Sequence, residues 1–250
     1  MARLGSGSSS AADGHVPVSS AVWNRARSDL LIPTEDGRTD PTVWERSSRI
    51  ARLAVWISEL PGMEATRVDR QALVAAALYH DMGWVIQLRR RELRRTEVLI
   101  RPTNDAQREL AASFVEQHLP PLLGDASTRA AAHAIRECGH KLTRRLEAVF
   151  LAEAMNLDDI GPQALCLLLR RAVAEGKGIE ALLEAWHRQQ EYRYWEARLK
   201  ECFRFEAIRE LARHRVEALG RLMADLCRFH RLEDVAERLA PPASDGQPVR

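Results

Sequence analysis

An imidazole and a carboxylate stand side by side at His80-Asp81, at the end of the apolar run Leu73-Val74-Ala75-Ala76-Ala77-Leu78-Tyr79. With 8 His and 13 Asp in 250 residues, chance supplies about 0.4 such dipeptides, so the pair draws its weight from its surroundings. An apolar helix ending on His-Asp delivers a nitrogen and an oxygen donor to one point, and both suit a divalent transition metal. Gly83 follows two residues later and is expected to let the chain turn away. Arg46 also stands out. It shares a helical stripe with Ile50, Leu53, Ile57 and Leu60, which turns it inward, and a buried guanidinium needs a carboxylate.

Other polar features invite chemistry less strongly. Between Arg89 and Arg101, six Arg stand against two Glu. Such a segment either draws anions to a pocket mouth or forms a solvated helix face, the plainer reading. Trp186, Tyr192, Tyr194 and Trp195 cluster within ten residues. Their spacing puts apolar side chains on two faces of one helix, which predicts a helix covered on both sides by the N-terminal bundle or by a second copy of the chain. Cys138-x-His140 with His133 lacks zinc spacing, and Gly176-Lys177-Gly178 lacks the phosphate-loop pattern.

These residues need elements to hold them, and the pattern is helical almost throughout. Expected helices start near Arg46 and Arg70 and cover about 105–118, 127–137, 145–156 and 163–174. Two long ones follow at about 178–199 and 205–238. Val98-Leu99-Ile100 is too short for a strand and reads as helix end or loop. The expectation is one all-α domain over 22–238, between a flexible leader (1–21) and a flexible tail (239–250). Lys+Arg is 37 and Asp+Glu is 35. That balance argues against a chain devoted to nucleic acid or an anionic membrane. Apolar residues make up 46 %, enough for a packed core. Four scattered cysteines give no disulfide framework and suit a reducing compartment. No run is long and apolar enough to cross a bilayer, so a cytoplasmic location is expected.

The stretch around His80-Asp81, with the helices before and after it, resembles the HD superfamily of all-helical metal-dependent phosphohydrolases. Arg46 to Ala54 looks like the helix that carries the family's first ligand. Ala134-Ile135 with His140 looks like its middle helix, and Leu146 to Gly161 like the helix of its last ligand. The resemblance spans about 44–161 and implies an HD-domain helical bundle, extended here by long C-terminal helices. It places the family's first histidine at Arg46 and its final aspartate at Met155, with Asn156 beside it. Arg has no lone pair to give and the Met thioether is a poor match for these metals. Only His80 and Asp81 remain as ligands. Glu153 and His140 are candidate substitutes. His133, Asp158 and Asp159 are also nearby, and ordinary helix-surface positions are the plainer reading for them.

Packing as in the family would pair Arg46 with Asp81, so that the guanidinium replaces the metal's charge or meets a phosphate. A dication 4 Å from that guanidinium would be repelled by roughly 4 kcal/mol at an effective dielectric of 20. The resemblance thus implies a degenerate HD-domain protein with lost or weak hydrolysis and a binding, regulatory or scaffolding role. It would hold no cofactor or a weakly bound divalent metal. Its expected partners are a phosphate-containing small molecule and a second copy through the C-terminal helices, with no membrane. The alternative is an active phosphohydrolase on a nucleotide or other phosphate ester, through a rearranged site. A nucleic-acid-binding module ranks last. Regaining metal is expected to need both Arg46→His and Met155→Asp.

Overall fold

The computed structural model describes residues 20–62 and 68–239. The leader expected over 1–21 and the tail expected over 239–250 fall almost wholly outside them. The described residues are all-α: twelve α-helices and a 3-10 turn hold 75 % of them, with two two-residue strands. Helix α1 (Ser20–Leu30) leads into β1 (Ile32–Pro33), which pairs antiparallel with β2 (Thr39–Asp40). Then come α2 (Thr42–Ser58), α3 (Arg70–Tyr79), α4 (Met82–Arg89), α5 (Asp105–His118), α6 (Pro120–Glu137) and α7 (Leu146–Asp158). Helices α8 (Pro162–Ala174), α9 (Ile179–Glu191), α10 (Tyr194–Cys202), α11 (Glu206–His230) and α12 (Glu233–Leu239) complete it.

Helix α3 is the axis of the bundle. Every residue from Ala72 to Tyr79 is fully buried, as a helix apolar on all sides must be. It packs among α2, α6 and α7. Its first turn is anchored by side chains. Asp69 accepts from the Ala72 amide at 3.0 Å and from the Ser127 hydroxyl at 2.6 Å, while Glu147 accepts from the Asp69 amide at 2.9 Å. An N-cap of this kind satisfies donors the first turn would otherwise leave bare.

Gly83 does not turn the chain away. It lies inside α4 with no positive φ. A Cβ there would fall inside the backbone carbonyl of Gln107. The glycine therefore serves the close approach of α4 to α5, and α3 and α4 meet at the His80-Asp81 corner. The two long C-terminal helices are each divided. Arg193 adopts a left-handed φ of 50° between α9 and α10, and Leu232 one of 57° between α11 and α12. A continuous helix would hold residues 186 and 195 about 13 Å apart along its axis. The break instead brings the Trp186 and Trp195 ring centroids to 5.7 Å. Trp195 is buried within the chain, while Tyr192 is exposed. The arginine-rich segment is not one helix face either. It ends α4, runs through a loop and a 3-10 turn at Arg95–Glu97, and Val98 to Ile100 follow as turn.

Two glycines separate the kinds of constraint. Gly83→Ala forces backbone apart and is expected to cost about 3 kcal/mol. Gly220→Ala, in α11 with no atom within 4 Å of its Cβ position, is expected to gain about 0.5–1 kcal/mol. Urea melts of both variants check this; equal effects would mean the α4–α5 contact is looser than described.

Candidate functional site

The C-terminal end of α3 sets three polar groups in the core. The Tyr79 hydroxyl donates to Asp29 Oδ2 of α1 at 2.9 Å, and Arg25 bonds the same oxygen. His80 Nδ1 sits 2.7 Å from the Ala77 carbonyl, a contact that puts the proton on Nδ1 and leaves Nε2 as the acceptor. That Nε2 is buried 3.0 Å from Asp81 Oδ2 but forms no aligned hydrogen bond. Asp81 is fully buried. It accepts from Arg46 Nε at 3.0 Å and from the Thr103 hydroxyl, and Thr103 accepts in turn from Trp84 Nε1 at 3.0 Å.

Arg46 is enclosed rather than exposed along its stem. Besides Asp81 it donates through Nη1 to Asp159 at 2.7 Å and to Asp158 at 3.3 Å. Both aspartates come from the end of α7. Asp158 is also clasped by Arg49, one turn along α2, at 2.9 and 3.2 Å. Asp159 meets Arg198 of α10 at 3.4 Å. The cluster is balanced: Arg46, Arg49 and Arg198 against Asp81, Asp158 and Asp159. Burial alone would push the Asp81 carboxyl up. The Arg46 guanidinium and the Thr103 hydroxyl overcome this and hold it well below the usual carboxylate range. Burial works against the Arg46 charge too, and its three carboxylates outweigh it.

The HD resemblance implies a divalent metal beside His80 and Asp81, and the donor set does not fit one. The Asp81 oxygen nearest His80 Nε2 already takes a bond from Arg46 Nε. The two aspartates that α7 supplies are held by the same guanidinium and by Arg49. Among the described residues, no three His, Cys, Asp or Glu side chains converge in the way a metal ion needs.

The other expected positions are dispersed. Asp158 is buried and ion-paired, not a helix-surface carboxylate. Met155 lies one turn before the two aspartates on the same side of α7 and lines the cavity that Arg46 lines. Asn156 turns to the C-terminal helices and donates to the Cys202 carbonyl at 3.0 Å. His133 and His140 are exposed. Cys138 is buried, and burial pushes its thiol up to about 12. Glu153 is also buried. Its Oε1 accepts from the Arg204 amide at 2.7 Å, and its Oε2 has no hydrogen-bond partner among the described residues. Residues 103, 198 and 204 escaped the sequence reading; nothing in their local pattern marks them.

Two cavities meet at Arg46. One, of about 330 Å³, is lined by Arg108, Lys141, Arg198, Arg204, His140 and Glu153 among others. The other, of about 160 Å³, is lined by Leu99, Leu167, Leu168, Gln189 and Trp195. Thr103, Asp159 and Arg198 border both. Arg101 opens onto the smaller one, whereas Arg91, Arg94 and Arg95 line a separate cleft against the β1–β2 hairpin. Among the described residues, Arg101 and Arg204 have no carboxylate in an ion pair. Arg101 lies over the Trp84 ring at 5.8 Å and Arg204 donates to the Lys141 and Thr143 carbonyls.

Glu153 gives the site a pH signature. Burial pushes its carboxyl up to about 7, against the pull of the Arg204 amide and charge. The folded state therefore binds this proton more tightly than the unfolded chain. Stability from the group is full below about pH 4 and is lost as pH rises through 7. Glu153→Gln is expected to be near neutral at pH 4 and to stabilise by about 1–3 kcal/mol at pH 8. Thermal melts across that range test it; a substitution that destabilises equally at both pH values would contradict it.

No family model matches the chain, and no curated protein sequence matches it. Solved structures do. Bacillus subtilis YpgQ aligns over 82 % of this chain and 94 % of its own, at 21 % identity and a TM-score of 0.53. YpgQ in complex with ADP aligns over 91 % of this chain and 96 % of its own, at 19 % identity and a TM-score of 0.52. A predicted HD superfamily hydrolase from an uncultured Thermotogales bacterium covers 82 % of this chain and 91 % of its own, at 19 % identity and a TM-score of 0.49. At such identities the likeness is one of architecture: the chain shares the all-helical fold of YpgQ, with His80 and Asp81 among the helices of that fold.

Proposed function

We propose that this chain is a degenerate HD-domain protein that binds a phosphate-bearing small molecule and has lost efficient hydrolysis. The observation that carries the reading is Arg46 in its ring of three carboxylates. A permanently protonated guanidinium stands where the HD resemblance implies a metal, and it engages the oxygens a metal would need. The three aspartates and three arginines of the cluster cancel. The cations left over belong to the cavities: Arg204 in the larger and Arg101 in the smaller. Arg204 spends its guanidinium hydrogen bonds on neutral carbonyls and Arg101 lies over the Trp84 ring, so both keep their charge for a phosphate. The complex of YpgQ with ADP supports a phosphate-bearing ligand for this fold.

Metal analysis of protein purified without chelator, joined to phosphatase and phosphodiesterase assays, tests the reading. The expected result is no stoichiometric Mn, Fe, Zn or Ni and no turnover. Pyrophosphate is expected to bind by calorimetry, and Arg204→Ala to weaken it about tenfold, the loss of one charge-assisted contact. Arg46→His with Met155→Asp is expected to acquire Mn²⁺ binding that the unmodified chain lacks. Tightly bound metal at His80 and Asp81 in the unmodified chain, with hydrolysis, would overturn the proposal in favour of an active phosphohydrolase with a rearranged site.

A further inference from the structure

We propose that the cleft between the β1–β2 hairpin and the arginine-rich segment after α4 binds an acidic peptide in an extended conformation. The cleft shares no lining residue with the two cavities at Arg46, so the proposal stands apart from the phosphate reading. Its volume is about 1080 Å³, at the upper end of the range for small-molecule pockets and room for a short chain segment. Arg89, Arg91, Arg94 and Arg95 line one side. Among the described residues none of the four has a carboxylate in an ion pair; Arg89 Nη2 donates to the Asp29 carbonyl at 2.7 Å, a neutral group. Arg91 follows α4 with a left-handed φ of 61°, a position where glycine would sit without strain.

The hairpin side carries Glu35, Asp36 and Asp40, and two of these carboxylates are already engaged. Asp36 accepts from the Thr34 hydroxyl and pairs with Arg38 at 3.1 Å. Asp40 accepts from the Thr42 amide at 2.9 Å and meets Arg170 of α8 at 3.6 Å. Glu35 is left to offset four guanidinium groups, so the cleft holds a local positive excess in a chain whose net charge is only +2. The cleft is also preformed. Arg170 ties its two sides together, donating to the Thr42 hydroxyl at 2.9 Å and to the Arg95 carbonyl at 3.0 Å. Glu97 accepts from the Arg94 amide at 2.6 Å and fixes the 3-10 turn. A site that is rigid before binding spares the cost of ordering it. The lining chooses between anionic partners. It contains no aromatic side chain, so nucleic-acid bases would have nothing to stack on, and a continuous phosphate backbone would meet Glu35 and Asp36. In an extended peptide, side chains alternate in direction. Carboxylates at every second position meet the arginines, which take them bidentately, while apolar residues between them meet Pro33, Pro41 and Leu88.

Fluorescence anisotropy of the full chain with a short labelled peptide that alternates Glu and Val tests the cleft. The probe is expected to bind, and to bind more weakly as salt is added. A peptide that alternates Lys and Val is expected not to bind. Arg91→Ala combined with Arg94→Ala is expected to weaken the acidic peptide about tenfold, the loss of two exposed charge contacts. Both arginines are exposed, so the double variant is expected to melt within a few degrees of the unmodified chain. Absence of binding, equal affinity for the two peptides, or an acidic peptide that binds the double variant as well as the unmodified chain would overturn the proposal. Two further results would replace the occupant and overturn it as well. One is a single-stranded oligouridine that binds more tightly than the peptide and is lost with the same variant. The other is a dimer of the unmodified chain in sedimentation that the variant dissociates, which would assign the cleft to a second copy.

Discussion

One guanidinium buried among three carboxylates is the interaction on which the rest of this structure depends. Arg46 joins α2 to the end of α3 through Asp81 and to the end of α7 through Asp158 and Asp159. Three of the helices that make the bundle thereby meet at one cation. A buried charge is tolerated only with counter-charges and hydrogen bonds around it. Here Arg49 and Arg198 complete the balance and extend the cluster to α10. The arrangement is also a constraint on chemistry. Oxygens committed to guanidinium groups are not free to take a dication. Freeing them by removing Arg46 would leave three like charges close together in the core.

In the proposed reading, an arginine in the place of a metal preserves one property and discards another. Both supply positive charge to a carboxylate nest, so the helices can pack as they would around an ion. Only the metal can exchange ligands and lower the pKa of a bound water. The fold can therefore outlive the reaction. The buried, unpartnered Nε2 of His80 fits this account. Its neighbour Nδ1 is held by the Ala77 carbonyl, so the ring is oriented as a donor of its lone pair, yet the oxygen it faces is already bonded to Arg46.

Much of this was legible from residue types and spacing. The stripe from Arg46 to Leu60 and the apolar run before His80 are periodic signals, and periodicity reports which way a side chain faces. What it does not report is how far along a helix its partner sits. Asp158 and Asp159 come one turn after Met155, and one turn keeps the same face while moving 5.4 Å. The sequence pattern thus pointed to the right side of α7 and left Asp158 and Asp159 on its surface, where in fact they reach Arg46. The breaks at Arg193 and Leu232 were illegible for another reason. Neither is Gly or Asn, the residues that usually mark a left-handed position, so the amphipathic pattern ran on unbroken through both. Gly83 was visible but misread, because a glycine needed for backbone contact and one needed for a turn look alike without the partner helix.

The break at Arg193 has a structural purpose that an unbroken helix could not serve. Folding α10 back on α9 puts Trp195 against Trp186 and carries Arg198, one turn further along, to Asp159. The same turn therefore builds the wall of the small cavity and closes the charge balance around Arg46. Tyr194 links the two roles: its ring meets Trp195 edge-on, and its hydroxyl accepts from Arg198 at 3.2 Å. Ring packing and charge balance thus meet in a single helical turn of α10.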